Sequence, residues 1–184
     1  MAAYTAPGWY GKLPSTGDFV HHRLSEQQIS PWNHWFQQGL MHWHQQAWSF
    51  SANFLHAPVW NFVLPVTATR PQIQMGCLLP SCDRVGRDWP LLALHSFPLR
   101  QWHPAQLTIS GDWFQDLGAT LLRAVQNPLN GEQLEQQIQS SPYARDNALM
   151  MRKLAENLKI ADQAGGMLAV APRHPAPQSN SHSE

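Results

Sequence analysis

The sequence is short of charge. Lys, Arg, Asp and Glu make up 13% of its 184 residues, about half of the roughly 25% usual in globular proteins. Twelve basic and twelve acidic side chains cancel to zero formal charge. That balance leaves no basic field with which to hold nucleic acid or an anionic membrane. Cysteine is scarce as well. Cys77 and Cys82 are the only two, and their spacing is neither a CxxC pair nor part of a disulfide framework, so a reducing compartment is expected. No run approaches the roughly 18 apolar residues of a membrane span. The N-terminal MAAYTAPGWYGK lacks the apolar stretch of an export signal, so the expectation is a soluble, cytoplasmic protein. Catalytic signatures are missing too. There is no GxSxG elbow and no HExxH. His21 and His22 are adjacent and do not share a helix face, and His42 and His44 point to different sides of a helix. Neither a metal nor a cofactor is expected.

What is present is apolar and aromatic. Hydrophobic residues are 43% of the chain, with nine Trp, and the length suits one domain with a sizeable core. Gly8 to Leu13 reads as a short strand, and the STGDFV that follows as a turn entering a helix, with Ser15, Thr16 or Asp18 as its cap. Ser30-Pro31 is a cap-plus-proline signature. Behind it Trp32, Trp35, Phe36, Gly39, Leu40, Trp43 and Ala47 recur at helical spacing, which predicts a helix over 31–48 with this stripe in the core. Trp48, Trp102 and Trp113 are then the candidate exposed anchors. Strand-like runs at 59–66, 73–80 and 89–97 are joined by short segments, which favours an antiparallel meander over parallel crossovers. Helical spacing returns from Gly111 to Val125, after Asn130, and after Ser141-Pro142. MLAVA at 167–171 reads as a last strand. The expected fold is α/β, a single domain over 1–171 with a central sheet flanked by helices, followed by a disordered tail at 172–184.

Two segments carry candidate chemistry. YGKLPSTGDFVHH, residues 10–22, holds the ingredients of a phosphate loop in the wrong order. A Walker lysine follows the second glycine, whereas Lys12 precedes Pro14 and Gly17, and Pro14 removes a backbone donor. The alternative is a turn in which Gly17 permits an unusual backbone angle and Asp18 acts as cap. PSCDRVGRDWP, residues 80–90, alternates charges around Gly86. Arg84 and Arg87 are suited to clamp a phosphate or carboxylate, or Asp83 and Arg87 to pair across a loop. Cys82, beside Arg84, is the more reactive of the two thiols on this reading, and Cys77 an inert strand residue.

Four blocks in order, GWYGKLPSTGDFVHHRLS, PWNHWFQQGL, APVWNFVL and LLPSCDRVGRDWPL, resemble the TagF (ImpM) family of type VI secretion accessory proteins. The resemblance covers about residues 8–93. It implies a non-enzymatic, cytoplasmic bacterial protein that represses type VI secretion after translation, through contact with the forkhead-associated scaffold of that system. The family's motif falls here on Gly11, Lys12, Pro14, Gly17, Asp18, Phe19, Trp32, Trp35, Trp60, Pro80, Ser81, Asp83, Arg84, Gly86 and Arg87. Lys12, Asp18, Asp83, Arg84 and Arg87 are the binding candidates, expected to meet at one end of the sheet. An alternative is a phosphate or phosphopeptide sensor built on Lys12, Arg84 and Arg87. A hydrolase using Asp18 and Asp83 is the remaining reading, and the cations around them argue against it because they keep both carboxylates ionised.

Overall fold

The computed structural model describes residues 6–46 and 54–142. Five strands form one antiparallel sheet: β1 (Gly8–Gly11), β2 (Val20–His22), β3 (Trp60–Leu64), β4 (Gln72–Leu79) and β5 (Leu91–Pro98). Their spatial order is β2-β1-β5-β4-β3. Helix α1 (Glu26–Gln46) precedes β3; α2 (Gln106–Ile109), α3 (Gly111–Gln126) and α4 (Gly131–Ser140) follow β5. This is the expected α/β arrangement, and the expected meander is β3-β4-β5. β3 pairs with β4 from Trp60↔Leu78 to Leu64↔Gln74, and β4 with β5 from Gln72↔Pro98 to Leu79↔Leu91.

The central strand explains why its sequence does not alternate. In LLAL of β5 all four side chains are buried, because both faces of the sheet are covered. Leu91 and Ala93 face a core shared with Trp9, Met75, Cys77, Leu79 and the apolar faces of α3 and α4. Leu92 and Leu94 face a smaller cluster with Tyr10, Leu24, Ile29, Trp32 and Phe36 beneath α1. The glycines allow close strand contact: a Cβ on Gly76 would lie 2.0 Å from the Ala93 carbonyl oxygen, and one on Gly11 2.2 Å from that of Pro90.

Several expectations are corrected. The STGDFV turn does not enter a helix. It leads into β2, which folds back on β1 with Trp9↔His22 and Gly11↔Val20 in register. Lys12 lies just past β1 rather than within it. Helix α1 begins five residues before the predicted start. Its true cap is Ser25: the Gln28 amide donates to Ser25 Oγ while the Ser25 amide donates to Gln28 Oε1, the reciprocal capping box. Pro31 therefore sits inside the helix. Its missing N–H deprives the carbonyl of Gln27, an exposed residue, which water can satisfy. The aromatic stripe is only half core. Trp32 and Phe36 are buried, whereas Trp35 and Trp43 are exposed, because the apolar stripe is wider than the face that meets the sheet. Of the candidate anchors, Trp113 is buried and Trp102 half-buried.

Helix α4 follows its cap. Asn130 accepts from the Gln133 amide at 2.9 Å while Gln133 Oε1 accepts from the Asn130 amide, a second capping box. Ala47, Trp48, the helix expected after Ser141-Pro142, the strand at 167–171 and the tail at 172–184 lie outside the described residues, Pro142 excepted.

Candidate functional site

The candidate residues converge where β1 ends and the β4–β5 connection begins. The organiser is Asp83, whose side chain is fully buried. Its Oδ1 accepts from the backbone amides of Val85 at 3.1 Å and Arg87 at 2.9 Å. Its Oδ2 accepts from Lys12 Nζ at 3.0 Å and Arg87 Nε at 2.7 Å. A carboxylate has about four lone-pair sites, and here four donors fill them. Burial opposes ionisation, but the Arg87 amide and the Lys12 and Arg87 cations outweigh it and hold the carboxyl well below the usual carboxylate range.

Local backbone explains how the loop presents that carboxylate. The Gly86 amide donates to the Asp83 carbonyl at 2.9 Å, and the Asp83 amide to the Arg87 carbonyl at 3.1 Å. Gly86 takes φ +85°, a left-handed angle at which glycine pays no Cβ penalty. The loop curls around its own aspartate, and Lys12 reaches in from just past the end of β1.

The two motif loops are stitched at the backbone as well. The Arg84 amide donates to the Thr16 carbonyl at 2.8 Å. Arg87 Nη2 donates to the Gly17 carbonyl at 3.1 Å. Ser81 Oγ donates to the Lys12 carbonyl at 2.7 Å, and Ser15 Oγ to the Leu129 carbonyl at 2.6 Å, tying the first loop to the α3–α4 corner. Lys12 Nζ lies 5.0 Å from the centre of the Phe19 ring, which meets Trp89 edge-on. These contacts fix the loops as one rigid corner.

The structure thus brings Lys12, Asp83 and Arg87 into one cluster and sets Gly17 and the Arg84 backbone against it. Asp18 stands apart. It is exposed, and among the described residues its carboxylate makes no hydrogen bond or ion pair. Gly17 needs no left-handed angle; the positive φ values at glycine fall on Gly11 and Gly86. Trp35 and Trp60 of the motif are exposed, and Trp32 buried.

This arrangement limits what the corner can do. Lys12 and Arg87 both turn donors onto Asp83, which offsets one of their two charges and leaves the Arg87 side chain largely exposed. Arg84 is exposed at the loop tip beside Val85. Asp83 has no proton to give as a general acid at neutral pH, and Asp18 does not pair with it. Cys82 is not activated: burial raises its pKa, and the nearby Asp88 and Asp83 raise it further. Cys77 is pushed up to about 12 by burial. Among the described residues no three His, Cys, Asp or Glu gather where a metal ion could sit, and no helix is long and apolar enough to cross a membrane.

Sequence reasoning missed a second buried carboxylate, Glu135 on α4. It accepts from Trp9 Nε1 at 2.8 Å, and from both terminal nitrogens of Arg23. Burial again opposes ionisation, and Arg23 and Trp9 more than compensate, so its pKa is lowered. Trp9 and Arg23 lie inside the first motif block, but their partner is more than 110 residues away. No local spacing could announce it.

Residues 8–141 match the TagF N-terminal domain, type VI secretion system-associated. Among solved structures the chain is similar to the crystal structure of PA0076 from Pseudomonas aeruginosa PAO1, with a TM-score of 0.64 and 24% identity over 80% of this chain and 78% of that one. At that identity the likeness speaks to the fold. A search of curated proteins gives no match.

Proposed function

The chain belongs to the TagF family of type VI secretion-associated proteins, and we propose that it acts in that system as a non-enzymatic, cytoplasmic repressor working after translation. It acts by contact with another protein, the forkhead-associated scaffold of the secretion machine. The observation that carries this reading is the saturation of Asp83. Lys12, Asp83 and Arg87 are engaged in holding two loops in one shape, which suits a surface recognised as a shape and does not suit acid–base turnover. Arg84, Val85, Asp18 and Phe19 are exposed on that corner, so they are the residues a partner meets.

Arg84 and Val85 belong to the contact surface, and Asp83 and Lys12 position it. Replacing Arg84→Glu leaves the fold intact and weakens the partner contact; Asp83→Ala disorders the loop and weakens it indirectly. The experiment is overproduction in a bacterium with an active type VI system, with release of the secreted tube protein as readout. Wild-type chain lowers release, and Arg84→Glu restores it while retaining the wild-type melting temperature. Undiminished release with the wild-type chain rules out repression. Failure of the scaffold to co-purify with a repressing chain rules out that partner.

A further inference from the structure

The sheet has two edges. β2 is three residues long and carries His21 and His22. β3 is different: WNFVL holds no charge, no proline and, in its regular pairing with β4, no bulge. These are the devices by which edge strands avoid pairing with another chain, and β3 has none of them. Among the described residues nothing pairs with its outer side.

The face of this edge is equally open. Phe62 and Leu64 pack toward the cluster under α1, and Trp60, two residues along, shares their side. Trp60 is 58% exposed, and Trp35 across from it on α1 is 59% exposed. Beside Leu64 a cavity of about 730 Å³ opens between α1 and the strands, walled by Trp32, Trp35, Phe62 and Leu64. One end of β3 therefore offers an exposed indole, and the other end a hollow with an apolar wall that Gln28, Arg70, Gln72 and Gln74 complete with polar groups.

We propose that a second copy of this chain covers the edge. The two β3 strands pair antiparallel about a two-fold axis at Phe62 and join the two sheets into one of ten strands. In this register Trp60 lies opposite the partner's Leu64, so each indole stands at the mouth of the other chain's cavity. An isologous interface requires one patch to carry both knob and hole, and here they lie two residues to either side of Phe62. Charge permits it: β3 has no ionisable side chain to repel its own image, and Arg70, which also lines the cavity, turns its guanidinium onto the Pro65 carbonyl. Zero net charge adds no long-range repulsion between copies. This inference does not depend on the repressor reading.

Sedimentation velocity of the full chain from about 1 μM to about 100 μM tests it, since dimerisation is a mass-action equilibrium. The expected result is twice the chain mass at the upper end. Trp60→Lys, at an exposed position, returns the chain to monomer with an unchanged circular dichroism spectrum, whereas Leu122→Lys on α3, also an exposed position, stays dimeric. Hydrogen exchange gives a second readout that needs no variant: amides of 60–64 exchange more slowly at 100 μM than at 1 μM. A monomer throughout the range overturns the proposal. So does a dimer that survives Trp60→Lys, since another surface then joins the copies. Protection of 60–64 that is the same at every concentration while the sedimenting mass changes from one chain to two also overturns it, because this chain's own residues then cover the edge.

Discussion

At the scale of single residues, Asp83 shows what a buried carboxylate does when its donors outnumber its bonds to water. Removing it leaves the buried Lys12 ammonium without a counter-charge, and an uncompensated buried charge is more costly than the lost pair. Asp83→Ala therefore lowers the melting temperature sharply, and Lys12→Met partly rescues it. In thermal melts the double variant is more stable than the sum of the single losses predicts, a coupling expected for residues in contact. The pH dependence separates other groups. Burial, reinforced by the positive charge of Arg23, lowers the His95 pKa from 6.5 to about 4. The unfolded chain then binds the extra proton first, so this part of the stability is complete above pH 6.5 and is lost as the pH falls toward 4. Asp83 and Glu135 have folded pKa values below their ordinary 3.8 and 4.5. Their contribution is complete above those ordinary values and drains away as the pH falls below them. Melting temperature against pH should show both limbs. His95→Phe, whose ring can keep the stacking on Trp113, should flatten the upper limb and leave the acid one.

At the scale of elements, two glycines and one serine carry distinct duties. Gly76→Ala drives a methyl into the Ala93 carbonyl at 2.0 Å, against backbone that cannot yield, and should cost about 3 kcal/mol or more. Gly86→Ala meets open space but must hold φ +85°, so about 1–2 kcal/mol is expected. Ser25→Ala removes the α1 cap and should cost about 1 kcal/mol. Chemical denaturation of the three variants ranks them. The meander was legible in the sequence because its strands are long apolar runs with connections too short for crossovers. β2 was not, since VHH has no alternating pattern and gains its place only from pairing with β1. The start of α1 is hidden in the sequence because Ser30-Pro31 imitates a helix start, while Ser25 and Gln28 form the capping box. For the candidate site, sequence identified which residues matter together. It could not identify that Lys12 and Arg87 both turn onto Asp83, because that depends on one side chain being buried at the meeting of loops 71 residues apart.

At the scale of the whole molecule, the sheet is assembled from one local unit and one distant one. β3, β4 and β5 are consecutive hairpin neighbours, whereas β1 lies between β2 and β5. The helices seal both faces, and Glu135 on α4 reaches back to Trp9 and Arg23. Contacts of low sequence separation form at less entropic cost, so the meander is expected to organise the folding transition state and the β1–β2 hairpin to dock late. Met75→Ala in the meander should therefore slow refolding, and Trp9→Phe should mainly speed unfolding. Stopped-flow refolding and unfolding of the two variants would show the split, and equal partition between the arms in both would contradict it.

The pairing of Gly8 with Leu94 has a consequence during synthesis. The hairpin made first is held in place by a strand made more than eighty residues later. At about 5–20 residues per second, a nascent chain waits roughly 4–17 s between making Trp9 and making the strand that pairs with it. For that interval the inner edge of β1 has no partner strand, and the helix residues that bury Trp9 come later still. A holding chaperone has its opportunity at this end of the chain, before the mature protein exists.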